Sequence, residues 1–115
     1  MSDQYLEPYE EIDKDSREYM RAIKTLMEEL EATMFYQQRI AASEDDALKA
    51  IMEHNRDEEI EHCAMTIEWL RRKMPAWDNE LRTYLFKEAP ITELEDGEEE
   101  SEEDSSDSLG IGDLK

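Results

Sequence analysis

Two carboxylates and one histidine have a spacing that could bind a metal ion. Glu59 and His62 are three positions apart, which places both side chains on one face of an α-helix. Glu29 lies within an otherwise apolar stripe on an earlier predicted helix. Carboxylate-bridged di-iron centres in helical bundles take one Glu from each of two helices and a Glu-x-x-His pair from each of the other two. Glu29, Glu59 and His62 therefore provide half of such a centre, and a second copy of the chain would provide the other half.

The donor set favours iron among the metals that proteins bind. Hard oxygen ligands with one imidazole per ion suit iron or manganese, whereas calcium rarely takes a histidine and structural zinc favours cysteine. We expect two iron ions per dimer interface, with calcium, manganese or zinc as alternative occupants of this or a peripheral site. Glu-x-x-His also arises by chance in a chain rich in glutamate, and Glu59 and His62 would then lie on a solvated face. Both interpretations stay open here, although the position of Glu29 supports the metal site.

Three residues on the first predicted helix could assist this centre. Tyr36 lies two turns after Glu29 and could donate a hydrogen bond to a ligand carboxylate, or could be an amphipathic core tyrosine. Glu28 and Glu31 flank Glu29 and could attract cations toward it, or could simply be solvated.

A second group of donors lies on another face of the helix that carries Glu59. His54, Glu58 and Glu61 follow an i, i+4, i+7 spacing, so their side chains share one face. This spacing allows a peripheral cation site, while a solvated charged face is the alternative interpretation.

The first of the long helices should run without interruption to Ala42. Asp15 or Ser16 can cap its start, and no Gly or Pro follows before Ala42. Residues 1–13 precede it as an N-terminal arm, with a short helical turn expected after Pro8.

A second long helix and a shorter third one should follow. Ser43 with Asp46 resembles a capping box, and the second helix should end near Lys73, before a proline. The third helix is predicted over roughly residues 76–87. Pro90 follows it and prevents its continuation, and we expect the folded part of the chain to end near this proline. The two long helices are joined by so few residues that they should form an antiparallel hairpin.

Apolar stripes on the two long helices predict an all-α fold that needs a partner. A hairpin of two amphipathic helices leaves half of each stripe exposed, and pairing two hairpins about a two-fold axis buries both in a four-helix bundle. The expected fold is therefore two long antiparallel helices and a short C-terminal helix that dimerise into a four-helix bundle. The first stripe follows Tyr19, Ala22, Leu26, Glu29, Thr33, Tyr36 and Ile40, with Ile23, Leu30 and Met34 beside them. The second follows Leu48, Ile51, Asn55, Glu59, His62, Thr66 and Trp69, flanked by Met52 and Met65.

Composition limits the class of protein. The 115 residues carry a formal net charge of −20, which argues against binding nucleic acid or an anionic membrane surface. No apolar run is long enough to span a bilayer and no signal-peptide pattern opens the chain, so we expect a soluble cytoplasmic protein. The single cysteine, Cys63, excludes an internal disulfide, and we expect it to be a packing residue.

The C-terminal region differs sharply from the helical part, which we place at residues 14–92. Residues 93–107, ELEDGEEESEEDSSD, contain ten acids and no base, and predict a disordered linker. Residues 108–115, SLGIGDLK, combine a few hydrophobic side chains with flexible glycines and suit docking in extended form into a groove on another protein. A terminus without function is the alternative. The predicted docking residues are Ser108, Leu109, Gly110, Ile111, Gly112, Asp113, Leu114 and Lys115.

Several of these segments together resemble the encapsulated ferritins. The similarity extends over residues 14–92 and the last eight residues, and the terminal SLGIGDLK is similar to the targeting peptides of encapsulin cargo proteins. The segments that carry the resemblance are MEELEA at 27–32, HNRDEEIEH at 54–62, MTIEWLRR at 65–72 and RTYLF at 82–86.

The resemblance implies a ferroxidase housed inside an encapsulin nanocompartment in the cytoplasm. Members of that family have a di-iron centre that forms at a dimer interface, and their dimers assemble into a ring-shaped decamer. They oxidise Fe(II) with O2 and pass Fe(III) to the lumen of the shell. One departure is Phe35, where the family often has a tryptophan, which puts any gating role there in doubt.

By motif position, the resemblance also implies a role for each candidate residue. It makes Glu29, Glu59 and His62 the ferroxidase ligands, with Tyr36 as the tyrosine beside them. Glu28 and Glu31 match the carboxylates through which metal enters. His54, Glu58 and Glu61 match a peripheral metal site. The competing hypothesis is an acidic helical cargo or adaptor protein that binds divalent cations without redox chemistry.

Overall fold

The structure is a computed structural model that describes residues 5–96 of the chain. Every regular element in this range is helical, which confirms the predicted all-α class. The three α-helices are α1 (Lys14–Ala42), α2 (Asp46–Lys73) and α3 (Pro75–Tyr84). Two short 3₁₀ helices, Tyr9–Glu11 and Ile91–Asp96, precede and follow them. No helix in the described range is both long enough and apolar enough to span a membrane.

Helix α1 begins one turn earlier than the sequence predicted. Its cap is Asp13, not Asp15 or Ser16: the Asp13 carboxylate accepts the backbone N–H of Ser16 at 3.0 Å and its hydroxyl at 2.7 Å. These hydrogen bonds lower the pKa of Asp13, because they favour its charged form. The predicted capping residue Ser16 thus donates to the cap.

The short helical turn expected after Pro8 is present at Tyr9–Glu11 and is attached to α1. The Arg17 guanidinium lies 3.7 Å from the centroid of the Tyr9 ring and donates to the Tyr9 carbonyl at 2.7 Å. A cation–π contact and a hydrogen bond therefore hold this part of the N-terminal arm against the first turn of α1.

Helix α2 is capped by Asp45, and the predicted capping box of Ser43 and Asp46 is wrong. The Asp45 carboxylate accepts the N–H of Leu48 at 3.0 Å, while the Ser43 hydroxyl accepts the N–H of Asp45 at 3.2 Å. Ser43 ends α1 instead, since its N–H donates to the carbonyl of Arg39. The predicted end of α2 at Lys73 is confirmed.

Helix α3 ends at Tyr84, three residues before the prediction. The chain becomes extended at Leu85, and Phe86 adopts a φ of 61° in the left-handed region, which stops the helix. The side chain of Lys87 then donates to the last carbonyls of α3. The prediction that folded structure ends near Pro90 is wrong, because the 3₁₀ helix after it buries Leu94.

Helices α1 and α2 form the predicted antiparallel hairpin. Arg56 donates to the side chain of Gln37 at 2.9 Å, and Thr66 donates to Glu29 at 3.1 Å, so later residues of α2 meet earlier residues of α1. The apolar residues that these two helices bury are Leu26, Ile40, Met52, Cys63 and Leu70.

Half of the predicted apolar stripes remains exposed in the protomer. On α2 the buried residues include Met52 and Cys63, whereas Leu48, Ile51 and Met65, which the stripe predicted to face inward, are exposed. About half of the surface of each of these side chains is accessible, as the sequence predicts for an unpaired hairpin. The large apolar residues of the hairpin that are exposed are Met27, Leu30, Met34, Phe35, Leu48, Ile51, Ile60 and Met65.

The chain separates into two compact units, one up to Leu70 and one from Arg71 onward. Within the second unit, Asp78 of α3 lies between two arginines. It pairs with Arg71, and the Nε of Arg82 donates to its two carboxylate oxygens at 2.9 and 3.1 Å. The hydrogen-bond and charge partners of Asp78 therefore belong to its own unit.

Candidate metal centre

Glu29 lies in the middle of α1 and faces α2. Its carboxylate oxygen Oε1 accepts a hydrogen bond from the Thr66 hydroxyl of α2 at 3.1 Å. Its backbone carbonyl accepts a hydrogen bond from the hydroxyl of Thr33, one turn later, at 2.8 Å. The carboxylate is half-buried, so the antiparallel pairing of the helices places a negatively charged group between them.

Glu59 and His62 lie one turn apart on α2, as their spacing predicts. Nδ1 of His62 is 3.6 Å from Oε1 of Glu59, which is too long for a hydrogen bond. The side chain of Glu59 is 27% exposed and that of His62 43%. Both groups can thus be reached from outside the hairpin, and neither is committed to the other.

The environment of Cys63 relates the carboxylates of the two helices. Burial raises the pKa of the Cys63 thiol, and the negative charges of Glu29 and Glu59 raise it further, against a hydrogen bond with Thr33 that lowers it. The negative charges of Glu29 on α1 and Glu59 on α2 thus both act on one buried thiol. The raised pKa keeps the thiol protonated, which agrees with the predicted packing role.

The charges of Glu29 and Glu59 are not compensated by basic side chains in the described part of one protomer. Among residues 5–96, neither carboxylate forms a salt bridge with an arginine or lysine. In the same range no three Asp, Glu, His or Cys side chains are close enough together to hold a metal ion. One protomer thus presents oxygen and imidazole donors that suit a divalent cation, but it presents too few of them in one place.

The other candidates on α1 lie around this pair of helices. Tyr36 is half-buried, two turns after Glu29, with the Arg39 guanidinium 5.5 Å from its ring centroid. Glu28 and Glu31 are exposed to solvent. The structure thus leaves these two carboxylates accessible, as a cation-attracting role and a solvated role would both require.

The predicted peripheral group is only partly assembled. Nε2 of His54 lies 3.2 Å from Oε2 of Glu58, and these side chains are 69% and 54% exposed. Glu61 is also exposed, one turn further along the same helix. All three residues come from α2, with no donor from α1. The C-terminal residues 108–115, predicted to dock on another protein, lie outside the described residues.

Two threonines beside Glu29 were not singled out from the sequence as functional. Thr66 was placed in the stripe of α2, and Thr33 in that of α1, without a role. The available signal was the position of Thr66: it follows His62 by four residues and is a hydroxyl in a partly apolar stripe. A donor there can only face the neighbouring helix or the groove beside it.

Comparison with known proteins extends the similarity to nearly the whole chain. Residues 4–88 match the EncFtn-like family. The chain is 50% identical to a ferritin-like protein of Thermotoga maritima over 111 residues, 96% of this chain and 97% of that protein. It is 48% identical to an encapsulated ferritin-like protein of Rhodospirillum rubrum, covering 95% of this chain and 86% of that protein.

A solved structure supports the fold independently. The crystal structure of protein ne0167 from Nitrosomonas europaea matches with a TM-score of 0.74 and 54% sequence identity. The match covers 76% of this chain and 96% of that chain. With its fold and these relatives, the chain belongs to the EncFtn-like family of encapsulated ferritin-like proteins.

Proposed function

We propose that the protein is a ferroxidase, which oxidises Fe(II) to Fe(III) with O2 at a centre completed by two protomers. The observation that carries the proposal is the position of Glu29, which the hydrogen bond from Thr66 places against α2 one turn beyond His62, with Glu59 one turn before His62. The two half-buried carboxylates have no basic partner in the described part of the chain. A divalent cation would supply the missing positive charge.

Each protomer would contribute the same three donors to the complete centre. Two copies of Glu29, Glu59 and His62 give four carboxylates and two imidazoles, which is the donor set of a carboxylate-bridged site for two irons. Iron is the substrate, and each Fe(II) gives one electron to O2. The four negative charges balance two divalent ions, and they favour the ferric product further because attraction to carboxylates increases with the charge of the ion.

The remaining candidates would act on delivery of iron and on ligand orientation. Exposed Glu28 and Glu31 would raise the local concentration of Fe(II) near α1. Tyr36 could donate its phenolic proton to a ligand carboxylate in the assembled dimer. His54 and Glu58 could bind a further cation at the surface, with Glu61 one turn away.

The decisive experiment measures ferric absorbance after aerobic addition of Fe(II) to the full-length protein. Glu29→Ala, Glu59→Ala and His62→Ala should each reduce the initial rate by about 100-fold or more, because each removes a ligand from the site in every protomer. The matched control is Glu53→Ala, which removes one exposed carboxylate from the same helix as Glu59. Its rate should stay within about twofold of the wild-type rate.

The outcomes separate the two functional hypotheses. Unchanged oxidation in all three ligand variants would refute the assignment of the centre. Tight binding of Fe(II) without oxidation, lost in the same variants, would instead favour the protein that binds divalent cations without redox chemistry.

We further propose that the protein acts inside an encapsulin nanocompartment in the cytoplasm. There its dimers would assemble into a ring-shaped decamer. Support comes from the relative in Rhodospirillum rubrum, which is named an encapsulated ferritin-like protein. The terminal peptide Ser108–Lys115 would bind the shell protein, and the acidic segment before it would serve as a tether.

Deletion of Ser108–Lys115 tests the shell assignment separately from the chemistry. In co-expression with an encapsulin shell protein, the truncated chain should no longer co-purify with the shell, while its rate of iron oxidation stays at the wild-type value. A chain with residues 108–115 in scrambled order controls for length and composition. Retained loading of the truncated chain would contradict the role of the peptide.

A further inference from the structure

We infer that Thr66 is a positioning residue for the Glu29 carboxylate, an inference that rests on the proposed metal centre. The Thr66 hydroxyl donates from α2 to Oε1 of Glu29 on α1 at 3.1 Å. A glutamate carboxylate has about four lone-pair directions on two oxygens, so this bond leaves Oε2 and part of Oε1 for a cation. Thr66 thereby fixes the orientation of one ligand without taking its place at the metal.

The position of Thr66 on α2 connects the ligands of the two helices. Thr66 follows His62 by four residues, which places it one turn beyond the Glu59 and His62 pair on the same side of α2. Its bond to Glu29 therefore sets the α1 ligand against the α2 ligands. The Thr33 hydroxyl cannot do this, because it donates to the backbone carbonyl of Glu29 within α1.

Fixing the carboxylate in advance matters because Glu29 has a long, flexible side chain. Neither an arginine nor a lysine is paired with Glu29 in the described range, so the Thr66 hydroxyl is the side-chain contact that restricts this carboxylate before a cation arrives. Groups that orient metal ligands through hydrogen bonds typically change metal affinity by about 10–100-fold when removed. Thr66 is partly buried and lines an open groove between the helices, so a substitution there can be accommodated.

The test compares Thr66→Val, which has nearly the same shape but no hydroxyl, with Thr66→Ser, which retains the hydroxyl. The full-length proteins are titrated anaerobically with Co(II), whose visible absorption reports affinity and coordination and which suits oxygen and imidazole ligands. Thr66→Val should bind Co(II) about 10-fold more weakly with a changed absorption spectrum, and Thr66→Ser should return close to wild type. The matched control is Thr83→Val in α3, which removes a hydroxyl bonded to the carbonyl of Asn79.

Each result supports or overturns the inference. Wild-type affinity and spectrum in Thr66→Val would overturn it, as would a Thr66→Ser protein that binds as weakly as Thr66→Val. Circular dichroism checks that the helices are intact, and Thr66→Ala provides a second variant without the hydroxyl if Thr66→Val does not fold.

The same titration distinguishes this inference from the proposed function. Weakened Co(II) binding in Thr66→Val, in a protein that does not oxidise Fe(II), would support positioning and refute the ferroxidase. Normal Fe(II) oxidation with wild-type Co(II) binding in Thr66→Val would overturn only the positioning role. Co(II) binding that is the same in Glu29→Ala as in wild type would overturn the positioning role, while the Fe(II) oxidation assay decides the ferroxidase separately.

Discussion

Partly buried carboxylates have different charge partners in the two compact units of the chain. In the second unit Asp78 lies between Arg71 and Arg82, and their hydrogen bonds and positive charges outweigh the effect of burial, so that the pKa of Asp78 is lowered. In the first unit Glu29 accepts a hydrogen bond from the Thr66 hydroxyl, and Glu59 lies 3.6 Å from the imidazole of His62. The counter-charge of Asp78 comes from its own unit, whereas the hairpin carboxylates have no arginine or lysine partner among residues 5–96.

This difference separates a structural use of carboxylates from a functional one. A carboxylate with two arginine partners has its charge compensated whether or not the protein binds anything. Two half-buried carboxylates without such partners have an unfavourable environment that a cation improves, and that is a common property of sites that bind metals. The exposed apolar edge beside them suggests the same incompleteness, since it would be covered by a second protomer.

Of the changes that test this difference, one that prevents two protomers from associating should have the largest effect. Ile51 is exposed and lies three turns before His62 on the same edge of α2. Ile51→Glu would place an unpaired charge in the expected dimer interface, where burial of such a charge is strongly unfavourable. We expect a monomeric protein whose rate of iron oxidation falls by about 100-fold, because half-sites cannot bind two irons. Sedimentation velocity and the ferric absorbance assay measure the two effects.

The control for this variant adds the same charge on the neighbouring residue. Ala50→Glu places a carboxylate on the exposed, charged side of α2, and it should leave both the oligomer and the oxidation rate unchanged. A monomeric Ile51→Glu protein with full activity would show that one protomer suffices, and it would remove the main difference between the hairpin carboxylates and Asp78.

The helices of the fold could be predicted well from the sequence, and their caps less well. The absence of Gly and Pro between Lys14 and Ala42, and the proline after Lys73, determine where long helices can run. The caps depend on which of several nearby acidic or hydroxyl side chains reaches the free N–H groups. Asp13 and Asp45 each accept the N–H of the residue three positions later in the chain. Neighbouring acidic and hydroxyl residues could have done the same, so the sequence did not identify the capping residue.

The buried face of α2 was harder to predict. Apolar residues occur on more than one side of this helix, so the periodicity allowed a line through Ile51 and Met65 as well as the observed line through Met52 and Cys63. In a protein whose helices pack against several neighbours, one sequence carries several apolar faces. The hairpin contacts of a single protomer decide between them, and those contacts join residues that are distant in the chain.

The candidate site shows the same limit. The spacing of Glu59 and His62 is local, so a pattern one turn long predicts their proximity. The approach of Glu29 to α2, and the bond from Thr66 to Glu29, depend on the register between α1 and α2, which the short connection restricts but does not determine. The stripe-centred position of Glu29 made the first of these predictable, whereas Thr66 required the observed pairing of the helices.

The smallest expected effect concerns the stability that Asp78 contributes. Because the pKa of Asp78 is lower in the folded protein than in the unfolded chain, folding favours its charged form. The resulting stabilisation is fully present above the ordinary aspartate pKa of about 4, and it is lost as the pH falls through the lower, folded-state value. Asp78→Asn should therefore reduce the free energy of unfolding near neutral pH by up to about 1 kcal/mol, since the side chain is partly exposed and its ion pairs are screened by solvent.

Denaturant unfolding of wild-type and Asp78→Asn proteins, repeated from pH 7 down to pH 3, measures this contribution as the difference between the two stabilities. The difference should be constant near neutral pH and shrink on acidification, whereas substitution of exposed Glu80 on the same helix by Gln should leave stability nearly unchanged at every pH. Binding of Co(II) by the hairpin should be the same in Asp78→Asn as in wild type, because the charge of Asp78 is compensated by its own arginines. A pH-independent difference, or a loss of Co(II) binding, would mean that the two kinds of carboxylate are not separate in the way the structure indicates.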